Sequence, residues 1–136
     1  MQPPATVTRL RRSTVASFRS EPEEVRRVRA ALRRELDGCP AADDIILCAS
    51  ELAANAVLHS DSRKASGTFT VRAVVSPGEY VLIEVQDDGG PWLERSVHPA
   101  SGRGLGIVSA LAADWGSQAT AYGRTVWASF DWSACA

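Results

Sequence analysis

The sequence predicts an α+β fold, a two-layer α/β sandwich in which a mixed, mostly antiparallel sheet is covered by helices on one face. Three observations support this prediction. Segments with strand or helix character follow one another in the order β, α, α, β, β, α, β, β. Strands that are adjacent in the sequence are separated by short turns, which join antiparallel strands. A chain of 136 residues, 45% of them hydrophobic, is long enough for one core.

The N-terminal part predicts a tail followed by a strand. Residues 1–12 are polar and rich in arginine and predict a flexible tail, ahead of a single domain over residues 13–136 that begins with a strand at 13–19. The first 34 residues carry nine arginines against three glutamates, which raises the alternative of nucleic-acid binding. Because the arginines of residues 26–34 surround an apolar helical stripe, we favour a solvated helix face and expect no direct contact with nucleic acid. Steeply salt-dependent binding of DNA or RNA would favour the alternative.

Two helices are predicted next. Ser20 and Glu23 have the spacing of a capping box, and apolar residues then recur every three or four positions, which predicts a helix over 21–36. Residues 43–59 contain no glycine or proline and are rich in alanine, leucine and isoleucine, which predicts a long and mostly buried second helix.

The remainder predicts two hairpins separated by a helix. Strands at 69–75 and 80–85 flank the turn Ser76-Pro77-Gly78-Glu79. A loop continues to about residue 102, and a helix then ends near Asp114. Two last strands, at 115–122 and 125–132, meet at Tyr122-Gly123-Arg124. The four tryptophans have no functional spacing, and we expect them to pack in the core or at an interface.

Composition excludes several classes of protein. No run approaches the roughly 18 to 20 apolar residues that a membrane span requires, so we expect a cytoplasmic protein without membrane contact. The cysteines Cys39, Cys48 and Cys135 form no CxxC pair, which argues against a redox or zinc site.

The second helix carries three polar residues four positions apart, Glu51, Asn55 and His59, which therefore share one face. The amide oxygen of Asn55 is a suitable ligand for Mg²⁺, a hard cation that takes few protein ligands, and Glu51 lies one turn away as a candidate base. His59, near the helix end, would border a nucleotide. The alternative is that these side chains simply face water.

Two glycine-containing segments complete the candidate site. Asp87 ends a strand before Asp88-Gly89-Gly90, where a carboxylate can accept a hydrogen bond from an adenine amino group. The segment Gly102-Arg103-Gly104-Leu105-Gly106 opens a helix, where free backbone N–H groups can bind phosphate oxygens. Neither a dinucleotide GxGxxG, nor a P-loop, nor the protein-kinase motif set is present.

In order and separation, these motifs resemble those of the GHKL ATPases, whose ATP-binding domain is the Bergerat-type fold. Glu51 to Ser60 resembles the N box, Asp87 to Gly90 the first glycine box, and Gly102 to Gly106 the second. Gly123-Arg124-Thr125 resembles the closing Gly-x-Thr strand of the family. The short distance between the glycine boxes and the lack of a phospho-acceptor histidine domain are similar to the bacterial anti-sigma factor serine/threonine kinases.

The resemblance implies a role for each matching residue, with ATP and Mg²⁺ as cofactors. Glu51 would be the catalytic base, Asn55 the Mg²⁺ ligand and Asp87 the adenine anchor. Arg103 would contact the γ-phosphate, with a plain surface arginine as the alternative. The remaining nucleotide-binding residues implied by the family are His59, Gly89, Gly102, Gly104, Leu105, Gly106 and Thr125.

The resemblance also implies a function. Kinases of this kind bind and sequester a sigma factor and phosphorylate a serine or threonine of an anti-sigma-factor antagonist, and they act as homodimers. Pro91 stands where the first glycine box often has another glycine, and Arg103 lies inside the second box rather than before it. These departures leave open an alternative, a catalytically weak or inactive module that regulates a partner by complex formation alone.

Overall fold

A computed structural model of the chain describes residues 10–59, 67–88, 103–120 and 123–133. Within these residues, five strands and three helices occur in the predicted order. They are β1 (Arg12–Arg19), α1 (Glu24–Glu35), α2 (Ala42–His59), β2 (Thr68–Ser76), β3 (Tyr80–Asp87), α3 (Arg103–Leu111), β4 (Asp114–Thr120) and β5 (Gly123–Asp131). The predicted α+β sandwich is confirmed.

The strands form one sheet in the order β1-β2-β3-β5-β4, and the four pairings among the described strands are all antiparallel. The sheet is thus antiparallel where a mixed one was expected. The strands β3 and β4, which precede and follow α3 in the sequence, run in the same direction. In the sheet, β5 lies between them and pairs with both. This insertion places the end of β3 directly beside the start of β5.

The β2–β3 hairpin has the predicted turn. Gly78 has φ +82, a conformation that glycine adopts without strain, and the Glu79 N–H donates to the Ser76 carbonyl oxygen at 2.9 Å. The turn pairs Ser76 with Tyr80, which sets the register of the whole hairpin.

The start of α1 differs from the sequence prediction. The helix begins at Glu24, its N-cap residue Glu23 has helical dihedrals, and no side chain caps it, so the capping box predicted for Ser20 and Glu23 is wrong. Instead, the buried carboxylate of Glu24 accepts a hydrogen bond from the Arg19 backbone N–H at 3.2 Å. The chain before α1 is therefore held by contacts that reach back to β1.

The third helix ends at Leu111 rather than near Asp114. The Ala113 N–H donates to the Ser129 carbonyl oxygen of β5 at 2.8 Å, and Asp114 already begins β4. Pairing of the segment after Leu111 with β5, which local sequence does not encode, therefore accompanies the end of the helix.

The core lies between one face of the sheet and the helices. The helix α2 packs against α1, α3 and the sheet, and most of its apolar side chains are buried, although Leu47 and Leu58 are exposed. Of the tryptophans, Trp115 and Trp132 pack against this core as expected, while Trp92 lies outside the described residues. The central strands contribute every second residue, namely Val81, Ile83 and Val85 of β3 and Val126, Ala128 and Phe130 of β5.

The opposite face of the sheet carries both apolar residues, such as Leu82 and Trp127, and polar ones. It carries a cross-strand ion pair between Arg72 of β2 and Glu84 of β3, with Nη1 and Oε1 2.9 Å apart. Among the described residues, no helix combines the length and hydropathy needed to cross a bilayer.

Candidate nucleotide-binding site

The polar face predicted for α2 lies on a helix that has one side in the core. Glu51 and Asn55 are half-buried, one helical turn apart, while the neighbours Leu52, Ala53 and Ala56 are buried. Water, a neighbouring group or a ligand can satisfy polar side chains that are only half-buried. The two residues are therefore accessible to a ligand at the margin of the core.

The buried thiol of Cys48 lies one helical turn before Glu51 on α2. Burial raises the pKa of Cys48 to about 11, and the carboxylates of Asp44 and Glu51 act in the same direction. The negative charge of Glu51 therefore contributes to the raised pKa of Cys48, which lies one turn earlier on α2.

Asp87 is the last residue of β3 and is buried, with 5% of its surface exposed. It continues the inward-facing series of Val81, Ile83 and Val85, so its carboxylate lies on the helical side of the sheet. The helix α2 packs against β3, which carries Asp87, and against α3, which begins inside the second glycine box. The three motifs singled out in the sequence thus lie on α2 and on two elements that α2 contacts.

Arg124 is a member of this site that the sequence reasoning missed. It is the cross-strand partner of Asp87 in the β3–β5 register and is only 1% exposed. Burial lowers the pKa of the Arg124 guanidinium to about 10, and the Asp87 carboxylate acts in the opposite direction. The guanidinium is therefore still charged at neutral pH, and a buried cation lies beside the buried carboxylate. Val126, Ala128 and Phe130 alternate inwards along β5, and extending that alternation by one step would have identified Arg124.

The backbone at the start of β5 approaches Asp87 very closely. Gly123 has φ +151, and a Cβ atom built on it would lie 2.1 Å from the Asp87 carbonyl oxygen. A side chain at this position would overlap the backbone of β3. Glycine is therefore required here for both the backbone conformation and the close approach.

Thr125, expected to help close the adenine pocket, is the cross-strand partner of Gln86 and is half-buried. Because Arg124 and Val126 are on the helical side, alternation directs Thr125 to the opposite face of the sheet. The structure does not bring Thr125 together with Asp87.

The second glycine box lies at the start of α3. Arg103, Gly104, Leu105 and Gly106 form its first turn, and no acidic residue occurs there. Leu105 is buried in the core, and a Cβ atom on Gly106 would meet nothing within 4 Å. No carboxylate in the first turn of α3 therefore competes with a phosphate group for the positive, N-terminal end of the helix. Gly89 and Gly102 lie outside the described residues, as do the side chains of His59 and Arg103.

The residues present fit a magnesium nucleotide. The described part of the chain contains no group of three or more His, Cys, Asp or Glu side chains that could hold a metal. Mg²⁺ commonly takes one or two protein oxygens, several waters and phosphate oxygens from a nucleotide. The half-buried amide of Asn55 can supply such an oxygen.

An antiparallel sheet covered by helices, with polar groups at the α2, β3 and α3 motifs, defines a nucleotide-binding module of the ATPase type. The sequence profile of the histidine kinase-like ATPase domain matches residues 18–130, and the chain belongs to this family. The predicted resemblance to GHKL ATPases is thereby confirmed.

Solved structures of related proteins support the assignment. The structure of the RsbU and RsbW domains of a Mycobacterium tuberculosis protein matches with a TM-score of 0.70 and 25% identity, over 88% of this chain and 32% of that one. The histidine kinase domain of a blue-light activated histidine kinase from Erythrobacter litoralis matches with a TM-score of 0.53 and 25% identity, over 82% of this chain and 61% of that one. The chain thus spans less than two thirds of either structure. No curated protein matches the sequence significantly.

Proposed function

We propose that this protein binds Mg²⁺-ATP and acts as a serine/threonine kinase that sequesters a sigma factor and phosphorylates an anti-sigma-factor antagonist. The observation that carries the proposal is the packing of α2 against both β3 and α3, because these elements bear Asn55, Asp87 and the second glycine box. Family membership supports the ATP-binding part.

Each residue has a chemical role in this proposal. The carboxylate of Asp87 accepts a hydrogen bond from the adenine amino group, and the first-turn N–H groups of α3 donate to phosphate oxygens. The amide oxygen of Asn55 holds Mg²⁺, which when bound neutralises charge that develops on the phosphates. Glu51, one turn before Asn55, accepts the proton of the attacking serine or threonine hydroxyl.

The partners are inferred from the structural relative. That structure comprises an RsbU and an RsbW domain, and similarity over 88% of this chain supports a comparable regulatory role. We therefore propose a sigma factor and an antagonist protein as partners, a homodimer as the working form, and the cytoplasm as its location.

Calorimetric titration with Mg²⁺-ATP tests the nucleotide site. Asn55→Ala and Asp87→Asn should each weaken binding by about 1 to 3 kcal/mol, because each removes a contact to the nucleotide or its metal. Asp43→Asn is a matched control, since Asp43 is an exposed carboxylate near the start of α2 that pairs with Arg33. The control should bind as the wild type does, whereas absence of binding by the wild type would overturn the proposal.

A transfer assay tests the kinase step separately. Glu51→Gln should retain ATP affinity and lose transfer of the γ-phosphoryl group to an antagonist protein, since the amide cannot accept the proton. ATP binding without transfer by the wild type to any antagonist would favour the alternative, a module that regulates by complex formation alone.

A further inference from the structure

The buried pair of Asp87 and Arg124 has a consequence for which base the site accepts, and this inference rests on the proposed nucleotide site. We propose that Arg124 is a specificity-determining residue, which keeps Asp87 in its charged, acceptor-only form so that the site selects a base carrying an amino group. Arg124 occupies the variable position of the Gly-x-Thr motif, to which the sequence resemblance gives no role.

The placement of the two residues carries the argument. They are direct partners across β3 and β5, both on the helical side, with 5% and 1% of their surfaces exposed. The guanidinium interacts electrostatically with the carboxylate. The neighbouring inward positions on both strands, Val85 and Val126, are apolar. The charged pair therefore borders the apolar core along both strands.

Burial without a cation favours the neutral form of a carboxylic acid. A neutral carboxyl group has an O–H that donates a hydrogen bond, whereas an ionised one only accepts. The charge of Arg124 therefore decides which hydrogen-bonding partner Asp87 can take. Adenine presents an amino donor at this position of the ring, and hypoxanthine presents a keto oxygen, which an ionised Asp87 repels.

Comparison of ATP with inosine triphosphate tests this effect, because the two nucleotides share the ribose, the phosphates and the metal and differ only at the exocyclic group on C6 and at the adjacent N1. The wild type should prefer ATP by roughly 10- to 100-fold, the range for a hydrogen bond to a charged group. In Arg124→Gln, which keeps a polar neighbour but removes the charge, the preference should fall to within about threefold because a protonated Asp87 can donate to the keto oxygen.

Two further variants separate charge from structure. Arg124→Lys keeps the charge and should retain the preference to within about threefold of the wild type. Arg72→Gln removes the arginine of the exposed cross-strand pair with Glu84 on the other face of the sheet, and should leave the preference unchanged. The ratio of the two dissociation constants is the readout, since a purely structural loss would weaken both nucleotides equally.

Each outcome is decisive. An unchanged ratio in Arg124→Gln, or a collapsed ratio in folded Arg124→Lys, would overturn the role of Arg124 while leaving the nucleotide site intact. If Arg124→Gln does not fold, the lysine variant decides, and loss of its preference sinks the proposal. Wild-type protein that binds neither nucleotide would overturn the proposed function itself, and this inference with it.

Discussion

Replacing Gly123 by alanine should damage stability and nucleotide binding together. The φ of +151 costs a residue with a Cβ atom about 1 to 3 kcal/mol. The new Cβ atom would lie 2.1 Å from the Asp87 carbonyl oxygen, so the end of β3 must move by more than about 1 Å, and such overpacking adds about 1 to 3 kcal/mol. A total of roughly 2 to 6 kcal/mol corresponds to a Tm lower by about 8 to 24 °C. Because Asp87 moves with its backbone, ATP affinity should fall at least about tenfold.

The matched control is Gly78→Ala in the β2–β3 turn. Gly78 also has a positive φ, +82, but a Cβ atom there would meet nothing within 4 Å. Only the conformational cost of about 1 to 2 kcal/mol applies, with a Tm lower by about 4 to 8 °C and ATP affinity unchanged. Thermal unfolding by circular dichroism and calorimetric titration with Mg²⁺-ATP measure both quantities. Equal losses of Tm in the two variants, or full ATP affinity in Gly123→Ala, would refute the reasoning.

Three further predictions concern the core and the surface. Because burial raises the pKa of Cys48 to about 11, its contribution to the free energy of unfolding is intact below the thiol's ordinary value of 9.0 and is lost as the pH rises towards 11. Urea unfolding across this range should show the decline in the wild type and a flatter profile in Cys48→Ala; identical profiles would contradict it. Ile83→Ala should cost about 2 to 5 kcal/mol in the same assay, since Ile83 is fully buried, whereas a loss below about 1 kcal/mol would mean that the core collapses around the cavity. The exposed ion pair of Arg33 and Asp43, 2.6 Å apart, should contribute less than about 1 kcal/mol in a double-mutant cycle and less still at high salt, and a larger or salt-independent coupling would count against this.

The sequence predicts the fold well where local patterns and long-range packing agree. The hairpin turn at Gly78 and the periodicity of α2 each have a local cause, and both elements occur where expected. The boundaries of α1 and α3 were less accurate because contacts with strand residues set them. Glu24 is held against the backbone of Arg19 in β1, and Ala113 is held by Ser129 of β5. The second contact depends on how the chain returns to the sheet, which leaves no local signal.

The candidate site shows the same limit. Motif spacing predicted Asp87 and the α2 residues as nucleotide-binding residues; the structure places them on packed elements, and their role stays a prediction. The same motif drew attention to Thr125, whereas the strand register brings Arg124 to Asp87. A shift of one residue along a strand moves a side chain to the other face of the sheet. The register of β5 against β3 was therefore needed to place Arg124, rather than Thr125, beside Asp87.

The insertion of β5 between β3 and β4 also bears on how the protein folds. The β2–β3 ladder joins two strands that are adjacent in the sequence, whereas Asp87 pairs with Arg124 only after the chain has passed through α3 and β4. Closing so long a loop is entropically costly, and such non-local pairings tend to slow folding. Until β5 pairs with β3, the carboxylate of Asp87 lacks its cationic partner, so we expect the ability to recognise a base to depend on that pairing.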